Sequence, residues 1–414
     1  MKNYTYPIIL KVVFVLSSIF SSLQGTTQEL ESLINEALKN NPEIQKFELQ
    51  YKIAKEKINE ANSLPNTEFG VGYFASEPET RTGAQRFRVS AKQMLPWFGN
   101  ITARENYVSS LANAKYEDIV IAKRKLMASV SQSYYNLYAQ KTKQKVFLEN
   151  IKLLETYEKL ALTSVEVGKA SAVDVLRLQM RQNELKQIKQ ILEQQYIAAQ
   201  NAFHNLLNRE RNVVINVVDE LNIPSDDFDI TTENLALHPE LLKYDKLYQS
   251  IEKSELLNQK ESSPMIGFGL DYINVEKRPG MTFSDNGKDI IMPMVSVSIP
   301  IFNTKYKSKT KQNKLQQQEI DAQKAERLNS LETILDKAIN DRISARISNT
   351  TQAKNIQQAK NAEEILIKSY ETGTIDFKDI LDIQELQLKF QINQIESVKN
   401  YYLQTTIINY LTQQ

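Results

Sequence analysis

The sequence predicts a mainly α chain with a small β part, built from duplicated long antiparallel coiled-coil hairpins and four strands. Three observations carry that prediction. The first is punctuation: 414 residues contain only 11 Gly and 11 Pro, where average usage would give roughly 29 and 21. No proline lies between Pro96 and Pro224 and none follows Pro300, and these stretches hold one interior glycine each, Gly168 and Gly373. A parallel α/β enzyme would need turn signals every dozen residues or so. The second is a hydrophobic content of 41% with a mean hydropathy of −0.43, which suits narrow apolar stripes better than a thick core. The third is an internal repeat of about 200 residues, described below.

Residues 1–25 read as a secretory signal. Lys2 and Lys11 precede the apolar run from Val12 to Phe20, and Ser21, Ser22 and Gly25 suit a cleavage region. A membrane anchor would need a run of about 20 residues. The first repeat spans 26–210. It opens on a helix over about 28–62, followed by strands near 67–75 and 85–94. A long helix over about 101–167 carries a stripe at Ile119, Ala122, Leu126, Val130, Tyr134 and Leu137. After the Gly168 turn a return helix, about 169–209, continues the stripe at Leu185, Ile188, Leu192, Ala199, Phe203 and Leu206. A linker at 211–232 holds Pro224 and the acidic run Asp226, Asp227, Asp229, with a short strand expected at Val213–Val218. The second repeat, 233–414, follows the same plan.

The repeat rests on anchors in matching order. Asn41-Pro42-Glu43 pairs with His238-Pro239-Glu240, and Pro65–Tyr73 with Pro264–Tyr272. Leu95-Pro96-Trp97-Phe98-Gly99 pairs with Ile299-Pro300-Ile301-Phe302-Asn303, and Tyr196 with Tyr401. Gly168, Asp174 and Leu176 recur as Gly373, Asp379 and Leu381. Helix lengths at 1.5 Å per residue give roughly 100 Å outbound and about 60 Å back, so each half predicts a rod with a glycine turn at one end and a β-hairpin at the other.

The strands alternate. Phe69, Val71 and Tyr73 oppose Gly70 and Gly72, and Phe87, Val89 and Ala91 oppose Arg88, Ser90 and Lys92. In the second half Ile266, Phe268, Leu270 and Tyr272 oppose Gly267, Gly269 and Asp271. Alternation alone suits either a membrane barrel around water or a sheet lying on a soluble core. The signal, and the lack of a core for such a sheet, favour the barrel. Four strands cannot close one, since about eight are needed, and open edges are forbidden in lipid. The barrel therefore requires several chains.

Composition narrows function. Lys+Arg 51 against Asp+Glu 50 gives a net charge of +1 and no case for nucleic acid. The absence of Cys excludes disulfides, thiolate metal sites, Cys nucleophiles and a Cys-linked lipid. His204 and His238 have no ligand partner at a recognisable spacing, and there is no phosphate-binding glycine loop. No enzyme chemistry, cofactor or metal centre is expected.

With these motifs in place, the sequence resembles the TolC family of outer-membrane efflux proteins over about 28–412. The resemblance rests on the duplicated plan, the Leu95–Gly99 and Ile299–Asn303 segments, and the turns Val167–Leu176 and Thr372–Leu381. It implies a homotrimer whose strands form one twelve-stranded barrel, continued by a helical tunnel through the periplasm. It implies a passive exit duct for drugs or heavy-metal ions, coupled through a periplasmic adaptor to an inner-membrane pump of RND type. The adaptor would dock at tips formed by Val167, Gly168, Lys169 and Ala170 and by Thr372, Gly373, Thr374 and Ile375. Asp379, Asp382, Tyr370 and Asp174 match constriction positions. Where the family's pattern has an arginine two residues after the second tip glycine, this chain has Ile375. Pro96, Trp97, Phe98, Gly99, Pro300 and Phe302 would mark the barrel-to-tunnel junction. Plainer roles exist for several of these: a hairpin turn without docking, a carboxylate complementing a helix N-terminus, an aromatic that only packs. The alternatives to an efflux channel are a non-conducting periplasmic coiled coil and a type I protein-secretion outlet.

Overall fold

The computed structural model describes residues 29–168, 171–227 and 232–412. The expected signal, Lys169, Ala170 and Asp229 lie outside the described residues. Two compact units are present. One takes in residues up to 46 with 120–238 and 328–414, and the other 47–119 with 239–327. Each draws on both sequence repeats, because the long helices run from one unit into the other.

The second of these units contains the sheet. Strands β1 (Thr67–Tyr73), β2 (Glu79–Thr80), β3 (Gly83–Leu95), β4 (Met265–Glu276) and β5 (Ile290–Ser298) pair antiparallel in the order β1-β3-β4-β5. The four expected strands are there, and the two-residue β2 pairs with β3 as an addition. The register aligns Val71, Val89, Tyr272 and Ile291 in one cross-strand row, and Phe69, Ala91, Leu270 and Pro293 in the next. Directly paired residues share a face, so these rows make one continuous apolar surface. It is uncovered: Phe69 is 78% and Val71 82% exposed. The opposite face carries Gly70, Ser90 and Asp271 in one row and Met94, Gly267 and Ser296 in another. There Arg88 pairs with the buried Asp271. Among the described residues, β1 and β5 each have one side without a partner strand.

Helices α1 (29–40) and α2 (Pro42–Ala61) replace the single helix expected at 28–62. The break falls at Asn41 because Pro42 disfavours the α conformation in the residue before it. The Asn41 side chain then accepts from the Glu43 N–H at 2.9 Å, a cap for α2. The long elements follow the prediction closely: α3 (Asn100–Glu166, 67 residues), α4 (Ala172–Leu207), α5 (Pro239–Glu261), α6 (Lys305–Glu371, 67 residues) and α7 (Phe377–Thr412). A 3₁₀ turn, Thr232–Leu237, precedes α5. Among the described residues no helix is long and apolar enough to cross a membrane.

The linker corrects one expectation: residues 213–218 form no strand. Ile215 and Val217 are buried and Val214 is exposed, so the alternation is genuine. Side chains take the backbone groups that a neighbouring strand would have taken. The Tyr134 and Tyr138 hydroxyls accept from the Val218 and Leu221 N–H groups, and Lys141 donates to the Val217 carbonyl at 2.7 Å. Further along, Asp227 accepts from the Tyr401 hydroxyl at 2.6 Å and from Arg346 at 2.7 Å. Burial and the Asp227 carboxylate push the Tyr401 hydroxyl up to about 12.

Candidate functional site

The two glycine turns lie in the unit that holds α4 and α7. Gly168 and Gly373 have φ of 73° and 75°, the left-handed region in which helices reverse. At the second turn the Gly373 N–H donates to the Tyr370 carbonyl at 2.9 Å and the Thr374 N–H to the Ser369 carbonyl at 3.0 Å. That pair is a Schellman cap. The Thr372 and Thr374 hydroxyls also donate to the Ser369 carbonyl. At the first turn the Gly168 N–H donates to the Val165 carbonyl, and Ser171 caps α4 by accepting from the Val173 N–H at 3.2 Å. Val167, Gly168, Thr372, Gly373 and Thr374 are exposed, whereas Ile375 packs partly buried against the core below.

That core joins the two hairpins. Phe147, Ile151, Leu154, Tyr157, Val175, Leu178, Tyr370, Phe377, Ile380 and Leu388 pack together. Phe377 is fully buried, with the rings of Tyr370 and Tyr157 edge-on at 5.0 and 5.9 Å. The Tyr157 hydroxyl donates to Glu363 at 2.6 Å, and burial, with that carboxylate, pushes its proton affinity up.

The four residues expected at a constriction separate into two pairs. Tyr370 and Asp174 belong to the packed interior. The Tyr370 ring is part of the core, and burial raises its hydroxyl above the usual phenol range, with the Asp174 charge contributing. Asp174 is 8% exposed and lies 3.6 Å from Arg177. Asp379 and Asp382 are exposed, and neither forms an ion pair among the described residues. Spaced three apart on α7, they share a helix face.

At the strand-to-helix junctions Pro96 and Pro300 are half-buried, and Gly99 has φ 79°. The Trp97 and Phe98 rings meet edge-on at 5.8 Å. Phe98 is 81% and Phe302 99% exposed. Two features escaped the sequence reading. Phe377 is the keystone of the tip core, and its position at the first residue of α7 was the available signal. Of the tyrosines holding the linker, Tyr134 was visible only as a member of an apolar stripe and Tyr401 only as a repeat anchor, and nothing in the sequence singled out Tyr138 or pointed to a hydroxyl contact with the linker.

The chain thus combines long antiparallel helical hairpins with one antiparallel sheet that is apolar on an uncovered face. Solved structures share that fold. CusC matches with a TM-score of 0.77 at 13% identity, covering 93% of this chain and 92% of its own. The outer membrane protein VceC of Vibrio cholerae matches at 0.74 and 14%, covering 93% and 96%. The MtrE outer membrane channel of Neisseria gonorrhoeae, in its open state, matches at 0.70 and 17%, covering 91% and 89%. No curated protein matches by sequence. Residues 33–209 match the family model of outer membrane efflux proteins. That match lies within the first sequence repeat, and the solved structures share the fold of the whole described chain.

Proposed function

We propose that the chain is the outer-membrane exit channel of a tripartite efflux system, passing small molecules, drugs or heavy-metal ions, delivered by an inner-membrane pump through a periplasmic adaptor. The observation that carries this is the sheet. Its apolar face is uncovered, its other face carries Arg88, Ser90, Lys92 and Asp271, and among the described residues neither edge has a partner strand. Lipid accepts the first face, water the second, and only further copies can satisfy the edges. Three copies would close a twelve-stranded barrel, with the hairpins of each chain lining a periplasmic tunnel. The exposed Phe98 and Phe302 suit the headgroup level. The turns at Gly168 and Gly373 are the adaptor-docking tips, and Asp379 and Asp382 form the gate, crowding carboxylates around the trimer axis where cations gather.

Purified protein reconstituted in planar bilayers should conduct ions and run as a heat-labile trimer. A soluble, non-conducting rod would overturn the channel. Replacing Asp379 and Asp382 with alanine should weaken block by multivalent cations. Unchanged block would remove both residues from the gate.

A further inference from the structure

All four methionines in the strands fall on the face of the sheet that carries Arg88, Ser90, Lys92 and Asp271, with Ile273 and Ile290 towards one end of it. Met94 in β3, Met265 in β4, and Met292 and Met294 in β5 share it with Ser90, Asp271 and Ser296. The other face is mostly Phe, Val, Leu, Ile and Tyr, with Ala91, Pro293, Gln93 and Thr67 among them and no methionine.

The register sets the thioethers in neighbouring rows. Met94 stands across from Gly267 and Met294 across from Gly269, on opposite flanks of β4. Both intervening positions are glycine, so no β4 side chain separates them. The Met94 Sδ lies 2.5 Å from where a Cβ on Gly267 would stand, with the Ser296 hydroxyl also in that space, and the Met294 Cε lies 3.3 Å from the corresponding point on Gly269. Both side chains thus lie over the glycines of β4, with Ser296 across Gly267 from Met94 and Lys92 across Gly269 from Met294. Met265 adjoins these glycines along β4, and Met292 stands opposite Asp271.

Thioether sulfur is a soft, neutral donor that favours monovalent d¹⁰ cations such as copper(I) and silver(I) over hard or multivalent ions. With no Cys in the chain, no thiolate is present to make such binding tight. A site that binds and releases is what a conducting wall requires. We propose that Met94 and Met294, with Met265 and Met292 beside them, form a reversible thioether site for a soft monovalent cation on the water-facing wall of the barrel. The site deepens the channel reading above and rests on it for its placement.

The test uses the full chain in detergent and in planar bilayers, with silver nitrate as probe and nitrate as the only other anion, because chloride removes silver. Met94→Leu with Met294→Leu keeps the bulk over the glycines and removes the sulfur. Met180→Leu with Met281→Leu removes exposed sulfur elsewhere. The first pair should lower silver affinity by at least roughly tenfold, the cost of losing even an outer-shell partner of a metal. It should also abolish silver's effect on single-channel current, while the second pair preserves both. Equal loss in the two variants, or wild-type affinity in the first, overturns the site. Organic aromatic solutes that protect the wild type and the leucine variant alike, without any silver response, would make the patch an apolar cushion and likewise overturn it. Failure of the wild type to conduct counts against the channel alone, and dialysis of silver against the solubilised protein still decides the site.

Discussion

The two turns at Gly168 and Gly373 descend from the same stretch of repeated sequence, yet they present different surfaces. Their backbones agree, with φ of 73° and 75°. Six residues further on, the equivalent aspartates part company. Asp174 is buried beside Arg177, and Asp379 is exposed without an ion pair among the described residues. The position that holds the fully buried Phe377 in the second turn holds the exposed Ala172 in the first. Backbone geometry at a turn is a local property of a residue without a Cβ. What a side chain two turns of helix away touches depends on which neighbour the whole chain brings against it.

The comparison can be broken most severely at Phe377. Phe377→Ala makes the second turn resemble the first and leaves a hole between the Tyr157 and Tyr370 rings. It should cost about 3–5 kcal/mol, seen as a fall in the unfolding midpoint of the full chain. A loss under about 1 kcal/mol would mean the site collapses freely, at odds with the tight packing described.

The glycines test the shared part. Nothing lies within 4 Å of a Cβ placed at either Gly168 or Gly373, so alanine there meets only the strain of the left-handed region. Gly168→Ala and Gly373→Ala should each cost about 1–2 kcal/mol, by similar amounts. Clearly unequal midpoint shifts would show that the two backbones are not equivalent.

The aspartates test the part that differs, with the smallest effects. Asp174→Asn removes the pairing with Arg177, itself partly exposed, for about 0.2–1 kcal/mol. Asp379→Asn should stay within about 0.5 kcal/mol of the parent, the range of a surface change away from any network. Its effect should appear in cation block instead. Reversed rankings in chemical unfolding would place the buried carboxylate in the second repeat.

Much of the fold was legible because its signals are local. The proline-free stretches became α3–α4 and α6–α7, and each interior glycine became a turn. Alternation located the strands to within a few residues. Two misreadings share one cause. The 28–62 stripe continues through Asn41, but Pro42 interrupts the backbone. The 213–218 alternation is that of a strand, but tyrosine hydroxyls from α3 meet the linker backbone where a strand would have been required. Hydrophobic period reports which side is buried, not what hydrogen-bonds the backbone.

By itself, the sequence determined the duplicated plan, the helix reversals and the two-faced strands, since periodicity, proline and glycine act over a few residues. Only the tertiary structure decided which carboxylates are buried, which ring anchors the tip core, and that four methionines fall on one face across three strands. Those outcomes depend on strand register and helix contacts between residues far apart in the chain, and no short window of sequence encodes them.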